Sequence, residues 1–312
     1  MSRPYTLEAL ITSARLRGGL NVDGSAGTGM KDDDLTLLIN EEMDELVTVV
    51  LQANEEYFTV HSKITPVASI SSYRIDPRAM YQQIKHVFQQ NDSEQARRRC
   101  VVIHSAEQPG VLQSSDTPMY YFIRGHDIVF RPEMSGSPSG YYDCYWYFKP
   151  GSLVKSTDCR QVTNVTGKVV SFGSSLPASW DSNDKFDIHS KHSGAEIKQW
   201  DLSVALIGGT SITFNETLDT TVLGRKQVEV GDWVCLEQEA ALPGLPTELH
   251  PVLAQAVICR ISESTQDIEA VQLHEGKLNR MIQVAVQGLN PRVETDKKVV
   301  PSDSLWNYMI EG

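Results

Sequence analysis

The sequence predicts an α+β fold, a bundle of N- and C-terminal α-helices with a large antiparallel β-rich insertion. Apolar residues recur every three or four positions in the first 56 residues and again from residue 246, which is the period of a half-buried helix. Between these segments, apolar and polar residues alternate as in strands. Helical segments from the two ends of a chain can pack together beside an inserted sheet.

Two helices are predicted in the N-terminal segment. Thr6 is a suitable N-cap for the first, which should end at Gly18. The second follows the acidic run at residues 32–34, because negative charge is favourable at a helix N-terminus. Its apolar face is expected in the helical core or in subunit packing and contains Leu35, Ile39, Met43 and Leu46.

The β-rich region is predicted to begin near Phe58. Residues 119–124 and 127–131 are expected to pair as a hairpin across a Gly-His turn. The densest aromatic run, residues 141–148, is a predicted strand with both faces covered. Residues 182–194 are polar and are expected to form an exposed loop in which His189 and His192 are solvated.

Two further helices are predicted in the C-terminal segment. The first begins near Pro251, a residue that is accepted in a first helical turn. The second begins near residues 264–267 and fades near Gly288. The apolar residues expected in the helical core or in subunit packing are Leu253, Val257, Leu278 and Ile282.

The C-terminal tail is polar from Asn290 but ends in an apolar cluster. We expect this cluster to dock on another chain, because large aromatic side chains dominate such contacts. A tail folded back on its own domain is the alternative. The cluster consists of Leu305, Trp306, Tyr308, Met309 and Ile310.

These patterns predict three units. Residues 1–56 with 246–290 form the helical domain, residues 57–245 the β-rich domain, and residues 291–312 the extended tail.

Charge and composition argue against several functions. The chain has 28 Lys and Arg against 40 Asp and Glu, a net charge of −12, so it has no net attraction for a nucleic acid backbone. Its first residues lack the pattern of a secretory signal and no apolar run is long enough to cross a membrane, so we expect neither secretion nor a membrane span. The five cysteines lack metal-binding spacing and are expected to be reduced thiols in the cytosol.

Catalytic and cofactor motifs are not recognised in the sequence. Gly24, Gly27 and Gly29 before Lys31 fail the phosphate-loop pattern, because Met30 displaces the lysine and Asp32 replaces the hydroxyl residue. The motifs G-x-S-x-G and H-E-x-x-H do not occur. We therefore expect no enzyme activity, no cofactor and no metal site.

Two blocks of the chain resemble the head-to-tail adaptor (connector) proteins of tailed, especially short-tailed, bacteriophages. The first comprises TLEALITSARLR at residues 6–17 and DDDLTLLINEEMDELVTVVLQANEEYF at residues 32–58. The second begins LPTELHPVLAQAVICRISES and ends near an Asn-Pro-Arg, over residues 245–294. Residues 121–134 and 141–154 resemble the hairpin of that family and its proline-containing exit.

The resemblance implies a virion structural protein that is made in the host bacterial cytoplasm and located at the head-tail interface. Such proteins form closed rings of about twelve copies under the portal protein. They extend the DNA channel, through which DNA passes without specific binding, and they provide the platform for a tail nozzle or tail tube protein. The C-terminal segment typically engages the portal.

Two other functions remain open. A β-rich tail or receptor-binding component could recognise host surface glycans through the aromatic run with Tyr120, Tyr121 and Phe122. A hydrolase would need a pocket of convergent titratable groups, which a sequence cannot reveal.

Overall fold

The structure is a computed structural model that describes residues 5–19, 30–90, 97–104, 118–132, 140–218, 225–264 and 268–289. These residues contain four helices, α1 (Leu7–Arg17), α2 (Asp32–Ala53), α3 (His250–Ser264) and α4 (Ile268–Leu289). The strands are β1 (Thr59–Ile64), β2 (Ser72–Arg74), β3 (Ala79–Gln90), β4 (Arg97–Arg99), β5 (Val101–Val102), β6 (Tyr120–Arg124), β7 (Asp127–Arg131), β8 (Tyr141–Phe148), β9 (Ser152–Leu153), β10 (Arg160–Thr166), β11 (Val169–Phe172), β12 (Lys185–Ser190), β13 (Ser193–Ile207), β14 (Ser211–Phe214), β15 (Trp233–Leu236) and β16 (Glu239–Ala240).

The strands form two four-stranded sheets, a closed barrel and a short parallel pair. The sheets have the orders β1-β8-β3-β4 and β2-β7-β6-β5, and the barrel has the order β10-β11-β14-β13-β12-β15. The pair joins β16 to β9. The segment from Arg97 to Val102 supplies the last strand of both four-stranded sheets, and the buried Cys100 lies between them.

The predicted helices and the predicted hairpin are confirmed. The Thr6 hydroxyl accepts a hydrogen bond from the amide of Ala9 at 3.4 Å at the start of α1. At the start of α2, the Asp34 carboxylate accepts from the Lys31 amide at 3.3 Å. The hairpin pairs β6 with β7, and Gly125 in its turn has a φ of +60°, which glycine adopts without steric cost.

The predicted fold class is wrong. The chain is β-rich, with several sheets and a six-stranded barrel, rather than a bundle of terminal helices with one β insertion. Helices α1, α2 and α3 bury side chains in one apolar core, whereas α4 has no fully buried side chain. The apolar core beside α1, α2 and α3 is completed by residues from outside these helices, namely Phe58, Met80, Leu153, Leu245 and Leu249.

The barrel has its own apolar core. Phe186 and Phe214 are fully buried and meet edge to face, with ring centroids 6.0 Å apart. Val162, Val170, Ile188, Leu202, Ile212 and Val234 complete the interior. Alternate residues of the strands point inward, so each strand contributes side chains to this core.

Most of the predicted loop at residues 182–194 is wrong, because β12 and the start of β13 lie within it. His189, predicted to be solvated, is fully buried. Its Nδ1 lies 3.1 Å from the carbonyl oxygen of Gly194, and its Nε2 lies 3.0 Å from that of Glu239. A Cβ at Gly194 would meet the carbonyl oxygen of Leu242 at 1.9 Å, so glycine is required at this position.

A buried ion pair connects the barrel to the neighbouring sheet. Arg78 precedes β3 and donates to the Asp187 carboxylate of β12 at 2.7 Å. The same carboxylate accepts from the amides of Asp201 at 3.0 Å and Gln238 at 2.9 Å. These bonds compensate for the removal of the carboxylate from water.

Candidate functional site

The most exposed element of the helical region is α4. Its inner side packs against the helical core through partly buried side chains. These side chains are Leu278, Met281, Ile282, Ala285 and Leu289. Because all five are only partly buried, α4 covers the core but is not enclosed by the chain.

The outer side of α4 carries a mixed apolar and cationic stripe. Leu273 and Val284 are 72% and 65% exposed, and they lie eleven residues apart, close to three full helical turns. Lys277 and Arg280 lie between them on the same side and are exposed. We call Leu273, Lys277, Arg280 and Val284 the α4 stripe.

Burial of such aliphatic side chains is favourable by about 1.5–3 kcal/mol each. On one side of α4, flanked by cations, these two side chains provide apolar area that a partner can bury.

The α4 stripe borders an apolar groove between α4 and the start of α3. The groove has a volume of about 710 Å³. Its lining is apolar apart from the exposed side chains of Lys277, Arg280 and Glu248. The apolar lining residues are Val252, Met281, Val284, Ala285, Gly288 and Leu289.

A buried histidine fixes the start of α3, which carries Val252 into the groove. The Nε2 of His250 lies 3.2 Å from the carbonyl oxygen of Leu245, and its Nδ1 accepts from the amide of Tyr5 at 3.0 Å. Burial lowers the pKa of His250 to about 4. A neutral imidazole therefore satisfies both contacts and ties the start of α3 to the N-terminal segment.

An ion-pair network joins α2 to α3. Arg260 donates to the carboxylates of Glu42 at 2.5 Å and Glu45 at 2.6 Å. Burial raises the pKa of Glu42, although the Arg260 guanidinium acts in the opposite direction. Sequence reasoning missed this network, because the two helices are more than 200 residues apart in the chain.

The residues predicted for helical core or subunit packing lie together in the helical region. Leu35, Ile39, Met43, Leu46, Leu253 and Val257 are buried in one core. Leu278 and Ile282 are partly buried on the inner side of α4. The predicted portal-docking residues Leu305, Trp306, Tyr308, Met309 and Ile310 lie outside the described residues.

The aromatic strand β8 is packed on both faces, as predicted. Tyr142, Cys144, Trp146 and Phe148 are buried on one side. On the other side, His61 stacks on Tyr145 with ring centroids 5.0 Å apart, and Arg97 bonds the Tyr145 hydroxyl and the Asp143 carboxylate. These rings pack against neighbouring side chains on both faces of β8, as predicted for a strand with both faces covered.

No three His, Cys, Asp or Glu side chains converge as a metal site in the part of the chain that the structure describes. Burial raises the pKa of Cys144 and of Cys235, which suppresses the reactive thiolate. No helix of the described ranges is long and apolar enough to span a membrane. The glycines of the rejected phosphate loop, at 24, 27 and 29, lie outside these ranges.

No protein-family model matches this chain, and no curated protein matches it in sequence. Its function is therefore inferred from its own residues and surfaces.

Proposed function

We propose that the chain is a virion structural protein, a head-to-tail adaptor. It assembles as a ring under the portal, extends the DNA channel and provides the platform for the tail. Its partners are the portal protein, further copies of itself, and a tail nozzle or tail tube protein. The protein acts at the head-tail interface of the virion after synthesis in the bacterial cytoplasm.

The observation that carries this proposal is the α4 stripe beside its groove. A ring with cyclic symmetry needs two different surfaces on each copy, one for each neighbour. An exposed helix that presents aliphatic and cationic side chains beside an apolar groove is suited to such a contact.

The charge supports the same function. With a net charge of −12, the chain repels phosphate groups on average. A channel that conducts DNA without holding it requires this property, because counterion release otherwise favours binding. The resemblance of the N- and C-terminal blocks to phage adaptors gives independent support.

Sedimentation velocity and native mass spectrometry of the full chain with its cognate portal test the proposal. We expect a portal-bound ring of defined stoichiometry. A chain that does not associate with the portal, and that instead binds glycans in a glycan array, would refute the adaptor function and favour the receptor-binding one.

A further inference from the structure

A second stripe, which is acidic, lies on the outer side of α2. The helix contains seven acidic residues and no Lys or Arg in its sequence DDDLTLLINEEMDELVTVVLQA. Asp33, Leu37, Glu41 and Asp44 follow one another at intervals of four, four and three residues, so they share one helix face. All four are exposed, and Leu37 is 60% exposed. We call them the α2 stripe.

The two stripes are complementary in charge and in apolar content. The α4 stripe has two cations and two aliphatic residues, whereas the α2 stripe has three carboxylates and one aliphatic residue. Helix pairs recognise each other through apolar anchors at such spacings, flanked by opposite charges.

Contacts within the chain leave the α2 stripe available. Asp33 lies 3.7 Å from the ammonium of Lys155, and Asp44 lies 3.8 Å from that of Lys149. All four of these side chains are about half exposed or more, and such pairs contribute little to stability. Replacing these partners with a cation on another chain therefore costs little free energy.

We infer that the α4 stripe of one copy docks against the α2 stripe of the next copy. Leu37 enters the groove lined by Val252, Met281 and Val284, while Glu41 and Asp44 pair with Lys277 and Arg280. The contact joins two different surfaces, so a pair of copies still has one free α4 stripe and one free α2 stripe. Further copies can add at these free stripes until a ring closes. This inference names the subunit contact of the proposed ring and rests on that proposed function.

A charge exchange between two full-length variants tests the contact. One variant carries Lys277→Glu and Arg280→Glu, and the other carries Glu41→Lys and Asp44→Lys. In an assembly of either variant by itself, like charges would face each other at every contact. In an equimolar mixture, opposite charges would face each other wherever the two variants alternate.

By sedimentation velocity, with and without the portal, we expect self-association of each variant to be at least tenfold weaker than that of the native chain. The mixture should recover it. A mixture no better than its components would overturn the inference. The inference would also be overturned if only the Lys277 and Arg280 variant lost association while the Glu41 and Asp44 variant associated like the native chain. The groove would then have another occupant, such as residues 305–310.

Disulfide trapping detects the contact even where association is weak, because the bond retains the associated pair. Chains with Leu37→Cys are mixed with chains carrying Val284→Cys, and the cross-linked peptides are identified by mass spectrometry. Gln283→Cys is the matched control, because it is exposed on the same helix but does not line the groove. We expect the 37–284 link to form at least tenfold faster than the 37–283 link, and equal rates would overturn the inference.

The two proposals can fail separately. A portal-bound ring that is unaffected by the charge exchange would remove this contact and leave the adaptor function. A 37–284 cross-link in a chain that never binds the portal would support the contact and refute the adaptor function.

Discussion

The barrel and the helical region bury their apolar residues in different ways. The barrel closes on itself, and its large aromatic residues, such as Phe186 and Phe214, are fully enclosed. The helical region encloses α1, α2 and α3 on their inner sides but leaves α4 with aliphatic side chains in solvent. The barrel interior is complete within one chain, whereas α4 has no fully buried side chain. Substitutions in the barrel interior should therefore affect folding more than substitutions on the outer side of α4.

The largest effect should come from the barrel core. We expect Phe214→Ala to lower the free energy of unfolding by about 3–5 kcal/mol, because it removes buried aromatic surface and leaves a cavity. Urea denaturation followed by tryptophan fluorescence measures this change. Leu206→Ala, at an exposed position of β13, is the control and should change the free energy of unfolding by less than about 0.5 kcal/mol. Equal effects of the two variants would contradict a closed barrel core.

The next effect sharpens the comparison at the start of α3, the helix that contributes Val252 to the groove. Because burial holds the folded pKa of His250 at about 4, below its ordinary 6.5, the unfolded chain binds a proton first as the pH falls. The contribution of His250 to stability is therefore complete above pH 6.5 and is lost between pH 6.5 and 4. The difference in pKa corresponds to about 3 kcal/mol.

Denaturation curves of the native chain and of His250→Gln between pH 8 and pH 4 isolate this group from other titrating residues. We expect the stability of the native chain relative to the variant to fall as the pH falls. A constant difference across this range would contradict a neutral, buried His250.

A smaller effect is expected at the network between α2 and α3. Arg260→Ala should lower the free energy of unfolding by about 1 kcal/mol, because Arg260 is partly exposed and water screens its ion pairs. Denaturation at low and high salt measures this, and the loss should shrink as salt increases. A loss that is independent of salt would point to the packing of the Arg260 stem instead.

The smallest effect on folding is expected on the α4 stripe. Leu273→Ala should change the free energy of unfolding by less than about 0.5 kcal/mol, since its side chain is mostly in water. In sedimentation with the portal, the same substitution should weaken ring assembly. A large loss of stability would show that Leu273 supports the fold of the chain itself and would weaken the comparison.

Local periodicity predicted the elements but not their assembly. The four helices, the hairpin of β6 and β7, and the strand β8 follow from spacings within about twenty residues. The fold class was wrong because barrel closure depends on pairings between distant segments, such as β10 with β15. The same reason explains His189, which lies in a polar stretch that reads as a loop but is enclosed once β12 pairs with β13 and β15.

The candidate site was predicted only in part. The inner apolar face of α4, with Leu278 and Ile282, follows from the helical period. The mixed row from Leu273 to Val284 follows intervals of four, three and four residues, so its shared helix face could have been recognised in the sequence. The groove could not, because its floor combines α4 with Val252 of α3.

The strand segment shared by the two four-stranded sheets has a mechanical consequence. The amide of Cys100 bonds the carbonyl oxygen of Val87 in one sheet, and the amide of Val101 bonds that of Met119 in the other, both at 2.8 Å. Two adjacent peptide units thus fasten two sheets, and neither sheet can slide without pulling on the other. Displacement of one sheet is therefore transmitted to the other through the backbone of Cys100 and Val101.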